Sequence, residues 1–205
     1  MAAPTRTLQG IVLSREESGE GSLRMRVFSS DEGLVLVYKR LASKRGSGSL
    51  PDLFDEVELR LSRPRTGGDS VSFVSEWRPL HRRPELARGQ LRLKTASDLS
   101  LLYQRNGAHL AEPAPVAKLL ADSLDSLVAG YPPEAVHLKT LYLFARVEGY
   151  PVKEAWWQSL PVEQRQAAAE TLNVPLRELV QDECAIAEIL ESLRLWLNAE
   201  TELRC

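Results

Sequence analysis

GLVLVYKRLASKRGSGSLPDLFDEVELRL, residues 33 to 61, holds two strand patterns joined by a cationic, glycine-rich connection. Leu34 to Tyr38 is a run of buried type, and Val57, Leu59 and Leu61 alternate with Glu58, Arg60 and Ser62, the period of two that a half-buried strand requires. Between them Lys39, Arg40, Lys44 and Arg45 come without an acid, ahead of a Gly46-Ser47-Gly48 tip. A cationic loop held between two strands suits a polyanion, because released counterions drive its binding to phosphates whatever the base sequence. A solvated hairpin tip, basic by chance, is the plainer alternative.

The same period extends outward from this stretch. Leu8 to Leu13 is a short apolar run, Leu23, Met25 and Val27 alternate with Arg24, Arg26 and Phe28, and Val71 and Phe73 alternate with Ser72 and Val74. Turn residues separate these segments at Ser18 to Gly21, Asp31 to Gly33 and Thr66 to Asp69. Five antiparallel strands within about seventy residues are too few for an immunoglobulin-like sandwich and match a small barrel of OB type.

From Pro84 the period becomes helical. Helices are predicted from Pro84 through Leu102, from Pro115 to Val128, from Pro133 to Val147, from Val162 to Leu172, and from near Pro175 through Leu197. The fold class is therefore α+β: an N-terminal five-stranded OB-type β-barrel over residues 1–80, followed by an α-helical bundle domain over residues 81–205. Charge divides along the same line. Residues 1–105 hold 18 Lys/Arg against 13 Asp/Glu, whereas residues 106–205 hold 8 against 15, and a basic half is a hint of nucleic-acid binding.

Several classes are set aside. A 43% hydrophobic, 26% charged composition is that of a globular chain. No run of about 18 apolar residues is present to span a bilayer, and Met1 to Gly10 lacks the pattern of a secretory signal; an intracellular protein with no membrane partner is expected. Cys184 and Cys205 build neither a disulfide framework nor a CxxC metal hairpin, and Cys184 is expected to be a small core residue. His81, His109 and His137 have no metal spacing, and no P-loop, GxGxxG, GxSxG or HExxH string occurs. No residue is a candidate for catalysis, so neither enzymatic activity, a metal nor a cofactor is expected.

Gly10 to Ser14, Gly19-Glu20, Arg24 to Phe28, Gly33, Lys39-Arg40, Lys44-Arg45 and Leu50 to Glu56, with Leu138 to Tyr150 as a second anchor, resemble the bacterial RecO recombination mediator family. The resemblance covers residues 8–65 and 134–150. It implies an OB barrel on a helical domain, binding to single- and double-stranded DNA, annealing of complementary strands coated by single-strand binding protein, and loading of RecA with the partner RecR. It also implies a bacterial cytoplasmic, nucleoid-associated place in DNA repair and recombination. The chain departs from the family in its short segment after Tyr150 and in lacking the cysteine cluster that holds zinc in many members.

Annealing needs no nucleophile; it needs the repulsion between two polyanions lowered while bases stay free. The candidate DNA contacts are Arg24, Arg26, Lys39, Arg40, Lys44, Arg45, Arg63 and Arg65, with Arg78, Arg82, Arg83 and Arg88, then Arg92 and Lys94, extending the track across the junction. Phe28 and Tyr38 are weak candidates for base stacking, so backbone electrostatics is expected to dominate. The resemblance further implies a groove for the acidic, phenylalanine-terminated tail of single-strand binding protein, for which Lys118, Lys139 and Arg146 are the candidate edge. Trp156-Trp157, near Tyr150, is expected to close the bundle, with a partner contact as the alternative. Two other functions are consistent with the pattern: an OB-fold RNA-binding module, and a scaffold working through its acidic helical half.

Overall fold

The computed structural model describes residues 5–19, 21–41, 50–62, 72–108, 110–180 and 182–205. Its strands are β1 (Thr5–Glu17), β2 (Ser22–Ser29), β3 (Gly33–Arg40), β4 (Glu56–Ser62) and β5 (Ser72–His81). They pair in the order β1-β2-β3-β5-β4, and β4 returns to β1, so the sheet closes as a barrel. β1 is long because it serves two partners: Ile11 to Glu17 face β2, and Thr5 to Ile11 face β4. Gly10 lies at the changeover, where a Cβ would stand 2.4 Å from the Phe28 carbonyl oxygen. Only glycine allows β1 to cross β2 so closely.

The pairing corrects the all-antiparallel expectation. An odd number of strands cannot alternate in direction around a closed ring, so one neighbouring pair must run parallel. That pair is β3 and β5, joined through Val37↔Ser72 and Tyr38↔Phe73. Inward residues follow the period of two: Leu23, Met25 and Val27 of β2, Val37 of β3, Val57, Leu59 and Leu61 of β4, and Val74 of β5 fill the barrel with Leu8 and Val12.

A second core lies between the barrel and the helices. Ile11, Leu13, Phe28 and Phe54 leave the barrel on its outer side and join the buried residues of α1 (Gln90–Asn106), α2 (Pro113–Val128), α3 (Pro133–Val147) and α6 (Glu183–Glu200). Phe28 meets Tyr103 edge to face at 5.0 Å, and Tyr103 meets Phe144 at 5.1 Å. The Leu34 amide donates to the Gly107 carbonyl at 3.3 Å, tying the start of β3 to the end of α1. Phe54 takes a left-handed φ of 66°, costly for an aromatic residue. Burial of its ring and a 2.8 Å bond from its amide to the Val12 carbonyl hold it there.

The helical half departs from the sequence pattern in three places. Pro84–Arg88 forms a 3-10 turn, and extended Gly89 separates it from α1. After α3, a π turn (Val152–Trp156) runs into the short α4 (Trp157–Ser159) and then α5 (Val162–Asn173). Pro175 starts only a 3-10 turn over Leu176–Glu178; the last helix begins eight residues later than that proline, where the Asp182 side chain accepts from the Cys184 amide at 3.1 Å. The aspartate cap, which satisfies an otherwise orphan donor, overrides the proline signal. Cys184 is consequently exposed in the first turn and is not a core residue. No helix among the described residues is long and apolar enough to cross a membrane.

Candidate functional site

Alternation on β2 and β3 puts Arg24, Arg26, Leu36, Tyr38 and Arg40 on the outside of the barrel, opposite the inward residues named above. Most of these cations do not stand alone. Arg24 donates to Glu16, its partner in register on β1, and Arg26 Nη1 lies 3.4 Å from the same carboxylate. The bond from Arg24 is the main cause holding the Glu16 carboxyl below its usual range. On β5, Arg78 grips Glu58 with Nε at 2.6 Å and Nη2 at 3.0 Å. With a further bond from Gln9, this lowers the Glu58 pKa to about 2.

Arg40 and Lys39 are different. Neither has a carboxylate partner among the described residues, and the Arg40 guanidinium sits 5.5 Å over the Phe73 ring. Lys44, Arg45, Arg63 and Arg65 lie outside the described residues. At the junction, Arg82 is 3.9 Å from Asp55 and 5.8 Å over Trp77, while Arg88 is exposed and Arg92 half-buried. Lys94 pairs with Asp98 at 2.7 Å.

Arg83 is removed from the surface track. Its side chain is 0% exposed, with Nε donating to Asp125 at 2.6 Å and Nη1 to the Phe54 carbonyl at 3.0 Å. Desolvating a guanidinium is costly unless it is paired and hydrogen-bonded, and these partners bind β4's approach to α2. Arg83 joins barrel to bundle and presents no charge to a ligand. Phe28, a candidate for stacking, is likewise buried at 1% exposure.

The second site is a groove of about 470 Å³ between α3 and the segment that follows it. Lys139, Tyr142, Leu143 and Arg146 share one face of α3 by their spacing of three, four and seven. Lys153 and Trp157 form the facing wall, with Leu172 of α5. Lys139 Nζ donates to the Leu172 and Val174 carbonyls at 3.1 and 2.7 Å, capping α5, and burial lowers its pKa. Arg146 is held 5.8 Å over the Tyr142 ring. Leu143, 40% exposed, gives the groove an apolar surface between the cations.

The structure thus brings Lys139 and Arg146 together and leaves Lys118 apart, paired with Asp122 on α2 at 2.6 Å. Lys153 carries no signal in the sequence pattern that would mark it as a groove residue, whereas Trp157 belongs to the aromatic pair for which a partner contact is the alternative reading. The tryptophan pair divides: Trp156 is wholly buried, whereas Trp157 is half-buried and lines the groove. An aromatic and apolar floor with three cations on its edge can take a peptide that combines an aromatic side chain with carboxylates.

Among the described residues no three His, Cys, Asp or Glu side chains gather as a metal ion requires. No protein-family model matches the chain, and no curated protein matches it.

Proposed function

We propose that this chain is a DNA-binding recombination mediator of the kind its sequence resembles, bringing complementary single strands together in recombinational repair. The observation that carries the reading is the outer face of β2 and β3, where Arg24, Arg26 and Arg40 gather, with Lys39 beside them at the end of β3, on a closed barrel of order β1-β2-β3-β5-β4. That order is the one an OB-type Greek-key barrel has, and such barrels bind oligonucleotides on this face. The face binds phosphates without reading base edges, and Glu16 gives up Arg24 and Arg26 as phosphates replace it. No covalent step is involved.

The groove on α3 has the complementary task. Its cations and aromatic floor fit the acidic, phenylalanine-terminated tail of single-strand binding protein, which would hold the mediator on coated strands. RecR and RecA remain partners through the resemblance alone.

The test is an annealing assay with fluorescent complementary oligonucleotides, with and without single-strand binding protein. Acceleration that falls as salt rises supports the mediator. Salt-insensitive binding, or no acceleration on coated strands, removes it. Competition between matched DNA and RNA strands separates an RNA-binding module from this reading.

A further inference from the structure

Where β3 meets β5 in parallel, the two strands place an aromatic pair on the outside of the barrel. Tyr38 and Phe73 are partners in register, their ring centroids 6.0 Å apart with planes tilted by 43°. Their chain neighbours Val37 and Val74 point into the barrel core, so the two rings face away from it. Both are half-buried, and neither belongs to the core shared with the helices. Arg24 stands across from Tyr38 on β2, and the Arg40 guanidinium lies 5.5 Å over Phe73. Leu36, one step along the outer face of β3, is 39% exposed and opposite Arg26.

We infer that Tyr38 and Phe73 form a stacking platform for unpaired bases of a single-stranded nucleic acid, with Arg24 and Arg40 receiving the flanking phosphates. The inference rests on the proposed binding of strands by the barrel and adds what that reading lacks, a means of preferring single strands to duplex. A base sliding onto the rings keeps these cations close to its own backbone, and stacking tolerates any base because each has a π face. A paired base inside a duplex offers no face to the platform.

The test compares wild type with the Tyr38→Leu/Phe73→Leu double variant, in which leucines keep apolar cover while both rings go. Probes are a fluorescein-labelled oligothymidylate, an abasic strand of equal length and a duplex, followed by anisotropy. Wild type is expected to bind oligothymidylate roughly tenfold more tightly than the abasic strand, the effect of one or two stacked bases. The double variant should lose that ratio while its abasic and duplex affinities stay unchanged. Equal affinity of wild type for oligothymidylate and the abasic strand overturns the platform even if the variant fails to fold, and leaves backbone binding by the barrel standing. An undiminished ratio in a folded double variant also overturns it. Absence of salt-sensitive binding to all three probes overturns both the platform and the binding of strands by the barrel.

Discussion

The barrel face and the bundle groove both gather cations, but they hold them by different means. On the barrel, Arg24, Arg26 and Arg78 are fixed by carboxylates on neighbouring strands, and Arg40 lies instead over the Phe73 ring. In the groove, Lys139 is fixed by helix-end carbonyls and Arg146 by an aromatic face. A cation held by a carboxylate is already neutralised, so an anion must compete for it. A cation held by a carbonyl or a ring keeps its full charge. On the proposed function, the groove would take one anionic segment, whereas the barrel face would bind strands largely by exchange, with an affinity that depends steeply on salt.

The comparison breaks most completely at the point that joins the two regions. Arg83→Ala leaves the Phe54 carbonyl without its donor and Asp125 without its closest cation. The expected loss is about 3 to 4 kcal/mol, the lower part of the range for a broken buried pair, since Asp125 is itself 44% exposed. Urea unfolding followed by tryptophan fluorescence measures it. A cost under about 1 kcal/mol would mean that the other contacts between barrel and bundle, apolar packing and the Leu34–Gly107 bond among them, hold the junction without Arg83.

Acid should separate the regions next. Burial pushes the His137 pKa down to about 4 from 6.5, with Asp98, Arg194 and Lys94 as the charged groups acting on it. Neutral histidine is favoured in the folded bundle, so its contribution is complete above pH 6.5 and is lost as pH falls toward 4, a change of roughly 3 kcal/mol. The barrel's Glu58 responds in the same direction but at lower pH. Its folded pKa of about 2 keeps the contribution of its ion pair complete above about pH 4.5, with loss only as pH falls toward 2. Hydrogen exchange between pH 6.5 and 4.5 should show bundle amides losing protection ahead of barrel amides. The reverse order, or no change from His137→Gln, counts against the buried neutral histidine.

A smaller effect tests how the groove holds its charge. Arg146→Ala or Lys153→Ala should each weaken an acidic, phenylalanine-terminated peptide about tenfold, as removal of one charge-assisted contact does. Lys118→Ala should have no effect, because Lys118 does not line the groove. Calorimetric titration distinguishes them, and equal affinities across all three variants would place the peptide elsewhere.

How much of this is legible in the sequence depends on the distance of the cause. Strand alternation needs only adjacent residues, and β2 and β4 follow their apolar positions closely, whereas in β3 only Val37 of the run Leu34 to Tyr38 is buried and Leu36 lies on the outside. Lys139 and Arg146 sit seven residues apart, and helical periodicity alone puts them on one face. Arg83 reads like its neighbours Arg82 and Arg88, because its burial is decided by Asp125, 42 residues away. Trp156 and Trp157 are identical in sequence terms, and which of the two faces inward is settled only by how the turn after α3 packs on the bundle. Phe73 is one member of an apolar run whose outward member cannot be chosen until the parallel junction with β3 is known.

The smallest expected effect bears most directly on exchange at the barrel. Glu16 occupies both Arg24 and Arg26, so Glu16→Gln should release two cations without removing any. If phosphates reach these arginines only by displacing Glu16, the variant should bind a single strand more tightly at low salt, by a few-fold. Its slope of log affinity against log salt should change by less than about one, because the number of phosphates neutralised stays the same. Glu58→Gln, which frees Arg78 on the opposite side of the barrel, serves as the comparison: it should alter binding less, since Arg78 is outside the β2–β3 face. Equal gains from the two variants would spread the phosphate path around the whole barrel, and a gain from Glu58→Gln alone would move it to β4 and β5.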